Sequence, residues 1–298
     1  MLDFDYTLRT VMLGTALLGA TCGGLGAFAV LRGQSLVGDA VAHAALPGVA
    51  LAFLAFATRN PLVLACGAAI TGWLAVRAVA AATRSGEART DSALAVSLSA
   101  FFGLGLVLLT FVQRRPDAQQ AGLDRYLFGQ AASLITADVW RIGIYGVVAA
   151  ATVVLAWRPL ALLSFDRAFG EAIGFRMERY DRLITLLIVG AVVIGLEAVG
   201  VVLVSALVVA PGVAARQWTD RLRPLVLIAA GFGAVSGASG ALLSALDAKL
   251  PTGPVVVIVA CTLAAVSMTI KRLRERRAAQ HRVGEGGDHE RLHLEVAR

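Results

Sequence analysis

Charged residues are scarce in this sequence. Only 16% of its 298 residues are Asp, Glu, Lys or Arg, whereas 58% are hydrophobic, and soluble proteins are usually about one quarter charged. This composition excludes a soluble globular protein and leaves no room for a large soluble catalytic domain. It indicates a polytopic membrane protein. The net charge of +7 is then explained by Lys and Arg in cytoplasmic loops, and no nucleic-acid partner is expected.

Several motifs of enzyme chemistry are also missing. The phosphate-binding pattern GxxxxGK[ST] does not occur, so the chain does not bind ATP by that route. There is no HExxH pattern and no triad-type pattern. The three cysteines are scattered without a CxxC pair, and we expect them to be free thiols in apolar surroundings. Histidine is rare as well, since His43 is the only one of four that precedes the polar C-terminal stretch.

Long apolar runs predict an all-α bundle of about eight or nine transmembrane helices. One helical crossing needs about 20 residues. The run Leu183–Ala215 is too long for one crossing and marginal for two. We favour a hairpin of two short helices, and one span plus a half-helix is the alternative. Val30–Gly33 and Gly103–Gly105 are candidates for close helix contacts. The apolar runs are Val11–Leu31, Leu36–Thr58, Pro61–Val76, Ser92–Val112, Val139–Trp157, Leu183–Ala215, Leu225–Leu246 and Pro254–Ile270.

Basic residues predict how the bundle is oriented. The segment Lys271–Arg277 directly follows the last apolar run and should be cytoplasmic. Counting back through a hairpin gives nine crossings with the N-terminus outside, whereas eight crossings remain an alternative. We expect residues 1–277 to form one transmembrane permease-like domain. Residues 278–298 are polar, and we expect a disordered cytoplasmic tail whose histidines are solvated rather than metal-sensing.

Two polar residues stand inside an apolar run. Asp39 and His43 are four apart, so they share one face of a helix. A carboxylate inside a bilayer costs roughly 2.5–3.5 kcal/mol, and three roles would offset that cost: a structural lock, a proton relay, or coordination of a passing cation. Carboxylate oxygen and imidazole nitrogen suit a divalent transition ion. Because two ligands do not complete a site, a second copy of the chain would have to supply the others. Pro47 and Gly48, which follow within a turn, are expected to interrupt the helix.

Two other polar segments lie between apolar runs. The stretch Ser164–Arg182 is amphipathic and suits a membrane surface or a partner protein. A basic segment between Pro211 and Pro224 is either a solvated turn or a docking helix for a cytoplasmic partner. Glu197 lies near the middle of the long apolar run and is a secondary site candidate. The basic segment comprises Arg216, Gln217, Trp218, Thr219, Asp220, Arg221, Leu222 and Arg223.

Four stretches together resemble the membrane subunit of the ABC-3 family of metal-ion importers. GDAVAHAALPGVALA (Gly38–Ala52) resembles the family's GDALSHAxLPGVALA segment, and TDSALAVSLSAFFGLGLVLL (Thr90–Leu109) resembles its second-half motif. EAVGVVLVSALVVAPGVAARQWTDRL (Glu197–Leu222) resembles VGxLLVxALLxxPAATARLxxxRL, and LPTGPVVVIVA (Leu250–Ala260) resembles LPSGPxIVL. The four cover most of the chain in the expected order, and the departure at Gly212, where Ala is commoner, is a small one.

The resemblance implies a type II ABC importer permease. Such a permease forms the translocation path as a dimer, with the same chain or a related one, in the plasma membrane of a prokaryote. A separate cytoplasmic subunit binds and hydrolyses ATP, so this chain is not itself an enzyme. An extracytoplasmic protein delivers Mn²⁺, Zn²⁺ or Fe²⁺, and no cofactor is bound permanently. By the same resemblance, Asp39 and His43 contact the ion, and Arg216–Arg223 docks the ATPase.

Two alternatives to a metal-ion ABC importer remain at this point. A secondary, proton-coupled metal transporter also uses intramembrane Asp and His residues, and it needs no ATPase. Within the ABC class, the cargo is either a bare ion or an iron chelate, and a wide polar path would favour the chelate.

Overall fold

The computed structural model is a bundle of α-helices. It describes residues 6–58, 60–84, 90–114, 131, 134–246 and 250–296, with side chains for all of these except 84, 91, 202, 203 and 277–296. Within these ranges there is no β-strand, which agrees with the predicted all-α class. Eight helices are long and apolar enough to cross a membrane, and one apolar helix is shorter.

The helices follow one another with short connections where these are described. In chain order they are α1 (Tyr6–Leu31), α2 (Val37–Phe56), α3 (Pro61–Arg84), α4 (Thr90–Gln113), α5 (Thr136–Leu155), α6 (Trp157–Phe165), α7 (Arg167–Ala172), α8 (Met177–Val199), α9 (Val201–Arg216), α10 (Leu222–Ser244) and α11 (Thr252–Val296).

The run Leu183–Ala215 forms a hairpin, but its first arm, α8, has 23 residues and is a full span, so the prediction of two short helices holds only for the second arm. Helix α8 ends at Val199, and Gly200 follows with a φ of +83°, a conformation that glycine adopts without a steric penalty. The chain then reverses, because Val204 on α9 packs back against Gly195 on α8. Helix α9 has only 16 residues, which is short of a full crossing. The described residues therefore form eight span-length helices, the shorter apolar helix α9, and the two short helices α6 and α7.

Several loops meet at one end of the bundle, which we call the basic end. There Arg32, just after α1, forms an ion pair with Asp181 near the start of α8. The Trp157 ring meets Phe28 edge-on with 6.3 Å between centroids, and Trp218 Nε1 donates a hydrogen bond to Ser267 Oγ on α11 at 3.1 Å. These contacts bring the connections α1–α2, α5–α6 and α9–α10 to the same end, and this is the end that the charge pattern predicts to be cytoplasmic.

Helices α1 and α10 touch backbone to backbone. A Cβ added at Gly19 would overlap the carbonyl oxygen of Gly233, and one added at Gly233 would overlap that of Gly19. One turn away, Thr15 Oγ1 donates a 2.9 Å hydrogen bond to the Gly237 carbonyl oxygen. Spacing by four places these small residues in one stripe on each helix. Burial of apolar area drives little association in lipid, so such close van der Waals packing holds the pair together.

The last helix extends past the expected boundary of the permease domain. Helix α11 begins at Thr252 and continues as one helix to Val296. No break marks residue 277, and the histidine side chains beyond it lie outside the described ones. The division into a permease domain and a disordered tail stays a prediction.

We predict that Gly233→Ala destabilises the bundle and that Gly231→Ala does not. A methyl at Gly233 collides with the backbone of α1, whereas Gly231 has no atom within 4 Å of an added Cβ. Overpacking of this kind costs roughly 1–3 kcal/mol. Thermal unfolding of the detergent-solubilised protein should show a lower melting temperature for Gly233→Ala alone. Equal melting temperatures for the two variants would contradict the α1–α10 contact.

Candidate functional site

Asp39 and His43 lie one turn apart on the same face of α2. His43 Nε2 is 3.6 Å from Asp39 Oδ1. That distance is too long for a side-chain hydrogen bond, so the two groups face a common space without being bonded to each other. The arrangement suits a third species placed between the carboxylate oxygen and the imidazole nitrogen better than it suits a structural lock.

The pair lies at mid-depth in the bundle. Val41, between the two polar residues, packs against Gly72, where an added Cβ would be 3.2 Å from Val41 Cγ1 and 3.6 Å from Val189 Cγ1. Gly72 is at the middle of the span Pro61–Thr83, and Val189 is near the middle of the span Met177–Val199. Both polar groups are therefore level with the middle of α3 and α8, although Asp39 lies in the first turn of its own helix, α2. Ionisable groups are most costly at that depth.

The rest of this part of α2 is covered by protein. From Val37 to Ala50 every residue is buried except Asp39 and His43, whose side chains are 33% and 15% exposed. Within this segment of α2, only the side chains of Asp39 and His43 are thus partly accessible from outside the protein. Lipid is a poor neighbour for a carboxylate, so the opening at these two side chains faces water or another protein surface.

Phe102 on α4 completes the surroundings of His43. The Phe102 ring and the imidazole are 4.8 Å apart between centroids and are tilted by 47°. His43 Nδ1 is buried and has no hydrogen-bond partner among the described residues. The phenyl ring limits the orientations of the imidazole and keeps Nε2 on the side of Asp39. Sequence reasoning missed Phe102, because no spacing rule relates positions on α2 and α4.

Pro47 changes the backbone of α2 without ending the helix. The expectation that Pro47 and Gly48 interrupt the helix is wrong, since α2 is continuous from Val37 to Phe56. Pro47 has no N–H, so the His43 carbonyl does not receive the usual hydrogen bond from four residues ahead. Gly48 is in close contact with α3, because a Cβ added at Gly48 would overlap the Gly67 carbonyl oxygen. The helix thus continues across the proline, with α3 packed closely against the next residue.

Glu197 lies at a different place from the Asp39–His43 pair. Glu197 Oε2 is 3.4 Å from Arg141 Nη1 on α5, and Arg141 also pairs with Asp138. Asp138 Oδ2 accepts a 3.1 Å hydrogen bond from the Ile135 backbone N–H, which caps α5. The network lines a mostly apolar cleft of about 350 Å³. Glu197 is eight residues beyond Val189 on α8, which is about 12 Å along the helix axis.

No larger cluster of metal-ligating side chains is present in the described part of the chain. The described residues contain no group of three or more His, Cys, Asp or Glu side chains able to hold one ion. Asp39 and His43 therefore provide one oxygen and one nitrogen ligand per chain, and further ligands must come from elsewhere.

The predicted docking segment is a tight turn rather than a helix. Arg216 ends α9, residues 217–221 form the turn, and Leu222 begins α10. The exposed members of the segment are Arg216, Trp218, Asp220, Arg221 and Arg223. Leu222 is 7% exposed, so it belongs to the core and not to a docking surface. Of the two alternatives, the solvated turn describes the local structure and the docking helix does not. The exposed arginines of the turn still form a surface suited to an acidic partner.

Side-chain contacts hold this turn against its neighbours. The guanidinium of Arg274 lies over the Trp218 ring, with Cζ 4.9 Å from the ring centroid. Trp218 Nε1 also donates a hydrogen bond to Ser267 Oγ. Arg223 Cζ lies 5.8 Å from the centroid of the Trp157 ring. Cation–π contacts of this kind add to the stability of exposed sites. The turn is therefore fixed to α11 and to the start of α6.

The amphipathic stretch Ser164–Arg182 is not one helix. Asp166 ends α6 and caps α7 by accepting a 2.8 Å hydrogen bond from the Phe169 N–H, and Gly174 has a φ of +95°. Phe165, Phe169 and Ile173 are exposed, but Met177, which shares their spacing, is 1% exposed. The apolar face of this stretch therefore stops before α8 begins.

The ion pair of Arg32 with Asp181 is another feature that the sequence did not reveal. The two residues are far apart in the chain and no motif relates them. The Arg32 side chain is 8% exposed, and burial lowers the pKa of its guanidinium, as does Arg167, although Asp181 opposes this effect. The pair joins the α1–α2 turn, which leads into Asp39, to the first turns of α8.

These features define the class: a polytopic membrane protein with a polar pair at mid-depth and a basic turn at one end. The sequence model of the ABC 3 transport family matches residues 4–271, so the chain belongs to that family. It is 47% identical to the zinc transport system membrane protein TroC of Treponema pallidum, with 89% of each chain covered. It is 42% identical to the manganese transport system membrane protein MntC of Bacillus subtilis, covering 87% of this chain and 59% of that one.

A solved structure has the same architecture. The structure of PsaBC from Streptococcus pneumoniae in complex with Fab superposes with a TM-score of 0.77 at 25% sequence identity. The match covers 89% of this chain and 92% of that chain. The helical bundle is thus that of an ABC transporter permease, as the sequence resemblance predicted.

We predict that Arg141→Ala lowers stability more than Arg182→Ala. Arg141 pairs with Asp138, whose side chain is 10% exposed, and with Glu197, at 23%, so its loss removes the cation shared by two partly buried carboxylates at a cost of roughly 1–3 kcal/mol. Arg182 and its partner Glu178 are 50% and 57% exposed, and such pairs contribute under about 1 kcal/mol. Thermal unfolding measures both, and similar melting temperatures would show that the Arg141 network is not stabilising.

Proposed function

We propose that this chain is the permease subunit of an ATP-driven importer of divalent transition-metal ions, Mn²⁺, Zn²⁺ or Fe²⁺, in the plasma membrane of a prokaryote. The observation that carries the proposal is the Asp39–His43 pair at mid-depth, with 3.6 Å between Oδ1 and Nε2. The names of the relatives, which belong to zinc and manganese transport systems, support the choice of cargo.

Oxygen and nitrogen donors at this position suit a transition-metal dication. Carboxylate and imidazole ligands bind such ions at about 2.0–2.2 Å, so an ion between the two groups of one α2 is geometrically reasonable. The partial exposure of Asp39 and His43 supports a dimer in which a second permease chain, identical or related, contributes an equivalent pair. The His43 carbonyl, which receives no hydrogen bond from Pro47, is a further oxygen donor on the same helix.

The outer surface of α4 is apolar. That helix exposes large apolar side chains, among them Val96 at 70% and Phe111 at 61%, while its opposite face carries Phe102 against His43. Lipid or a second chain is the natural neighbour for such a surface. Packing of two chains across the openings at Asp39 and His43 would enclose the polar pairs in a path between them, and the outer face of α4 would then be left to lipid or to a peripheral contact.

ATP is used outside this chain in the proposed mechanism. The sequence has no phosphate-binding loop, so a cytoplasmic ATP-binding subunit docks on the basic turn Arg216–Arg223. An extracytoplasmic metal-binding protein delivers the ion at the opposite end. ATP binding favours one of two states of the permease, and the ion affects the balance only if Asp39 and His43 hold it differently in the two states. Binding at the pair must be weak enough to permit release.

A secondary transporter and a chelate permease are the competing functions. The 3.6 Å separation does not connect Asp39 and His43 into a proton relay by a direct hydrogen bond, which weakens the proton-coupled alternative. Burial of His43 under Phe102 leaves little room beside the imidazole, which favours a bare ion over an iron chelate.

We expect Asp39→Asn and His43→Gln to abolish metal uptake while leaving assembly intact. Asn is close to Asp in size but lacks its negative charge, and Gln replaces the imidazole nitrogen with an uncharged amide, so each loses the ligand type that suits a transition-metal dication. Proteoliposomes containing the permease, its ATP-binding subunit and its binding protein would be assayed for ATP-dependent uptake of ⁵⁴Mn and ⁶⁵Zn. Uptake should fall at least about tenfold in each variant, as expected when a ligand is lost.

Glu197→Gln is the matched control for that experiment. It also neutralises a membrane-embedded carboxylate, but one that pairs with Arg141 and lies about 12 Å further along the helix axis. Uptake should be retained in Glu197→Gln. Retained uptake in Asp39→Asn and His43→Gln would reject the site, and uptake without ATP would favour the secondary transporter.

Reversal of charge on the basic turn should detach the ATP-binding subunit. In the variant Arg216→Glu/Arg221→Glu, two exposed cations at the docking turn become anions, which repel an acidic partner. The control Arg179→Glu/Arg182→Glu makes the same change near the start of α8 at the same end of the bundle. Co-purification of the ATP-binding subunit should fall only in the first variant, and equal loss in both would argue against a specific docking turn.

A further inference from the structure

We propose that Val208 on α9 is the positioning residue that transmits movement of the docking turn to Asp39. The inference rests on the proposed function, since it assumes that Asp39 holds the transported ion and that the turn after α9 meets the ATP-binding subunit. It adds the connection between the two, which neither site supplies by itself.

Val208 is held between α1 and α2. Its exposure is 0%, and a Cβ added at Gly26 on α1 would overlap its carbonyl oxygen. On the other side its side chain rests on Gly38, where an added Cβ would be 3.2 Å from Val208 Cγ1 and 3.4 Å from Val208 Cβ. Helix α9 thus touches the backbone of α1 and, through one methyl group, the backbone of α2.

The contact on α2 is next to the ion-binding residue. Gly38 directly precedes Asp39, and because Gly38 has no side chain, the Val208 methyl touches the main chain itself. A shift of Val208 therefore moves the backbone that carries the Asp39 carboxylate. Close-packed interiors transmit small displacements rather than absorbing them.

Helix α9 connects this contact to the docking turn. Val208 and Arg216 are eight residues apart in one helix, which corresponds to about 12 Å. Pro211 lies between them and removes one backbone hydrogen bond, but the helix continues through it. The turn begins where the helix ends, and Trp218 and Arg223 fix it to its neighbours. A partner that displaces the turn therefore displaces Val208 with it.

A second valine on α9 makes a different contact. Val204 is also 0% exposed, but its Cγ2 packs on Gly195 of α8, the other arm of the hairpin. The two valines are one turn apart and have the same side chain and the same burial. The close glycine contact of Val204 is with α8, whereas that of Val208 is with the helix that bears Asp39, so Val204 is a matched control for loss of packing.

The test compares Val208→Ala with Val204→Ala in the assembled transporter. Metal uptake and ATP hydrolysis would be measured in the same proteoliposomes, together with the melting temperature of each permease. We expect Val208→Ala to hydrolyse ATP within about twofold of wild type but to take up at least about fivefold less metal per ATP. Val204→Ala should keep the wild-type ratio even where its melting temperature falls by a similar amount.

A compensating substitution sharpens the test. In the double variant Gly38→Ala/Val208→Ala, the new methyl on α2 would lie 3.4 Å from the remaining Cβ at position 208, which is ordinary van der Waals contact. The double variant should regain at least half of the wild-type uptake per ATP. Contacting residues are expected to show such non-additivity in a double-mutant cycle.

Two results would overturn the proposal: an unchanged ratio in Val208→Ala, or an equal loss in Val204→Ala without recovery in the double variant. If Val208→Ala does not fold, Gly38→Ala alone decides, because its methyl presses on Val208 Cγ1 and should alter uptake per ATP. A wild-type ratio there would also reject the connection. Failure of the proposed function is recognised separately, since Asp39→Asn would then retain uptake whatever Val208→Ala does.

Discussion

The architecture depends on close backbone contact between α1 and α10. At Gly19 and Gly233 there is no space for even a methyl group, so the distance between these helices is set by main-chain atoms. Another glycine of α1, Gly26, lies against the backbone of α9. In lipid, where burial of apolar area gives little drive, such contacts determine which helices are neighbours. The position of α9, and hence of its contact with α2, follows from the packing around α1.

Helix α2 contains two ionisable side chains inside the bundle, and the free-energy cost of placing them there has to be offset by packing. Asp39 and His43 interrupt a helix face that is otherwise buried, and Pro47 removes one backbone hydrogen bond in the same segment. The contact of Gly48 with Gly67 keeps α2 close to α3, and Phe102 covers the imidazole. The polar pair is thus held by rigid neighbours on α3 and α4, as a site that must bind and release an ion reproducibly requires.

The class and the polar pair could be predicted from the sequence, because hydropathy and spacing by four are local properties. Nine crossings were favoured, with eight as the alternative, and the described residues contain eight span-length helices and one shorter apolar helix. The hairpin was predictable from the length of one run, with Gly200 at the reversal. Helix neighbours were predictable only in part. Of the glycines proposed as contacts, Gly33 and Gly103 have no atom within 4 Å of an added Cβ, whereas a Cβ added at Gly105 would be 2.9 Å from Leu46 Cβ. The close contact at Gly19 was not predicted. Phe102 and the Arg32–Asp181 pair were missed for the same reason: their partners are distant in sequence, and only packing unites them.

The α1–α10 contact forms late in synthesis, because α1 is made long before α10. Gly19 and Gly233 are 214 residues apart in the chain, and ribosomes add about 5–20 residues per second. Helix α1 therefore waits in the bilayer for roughly 10–40 s before its main neighbour is made. During that interval its glycine stripe faces lipid or other proteins, and the polar pair on α2 is uncovered until α4 arrives. During this period the nascent chain is exposed to incorrect helix pairing and to quality-control proteases. The period ends only when α10 is inserted.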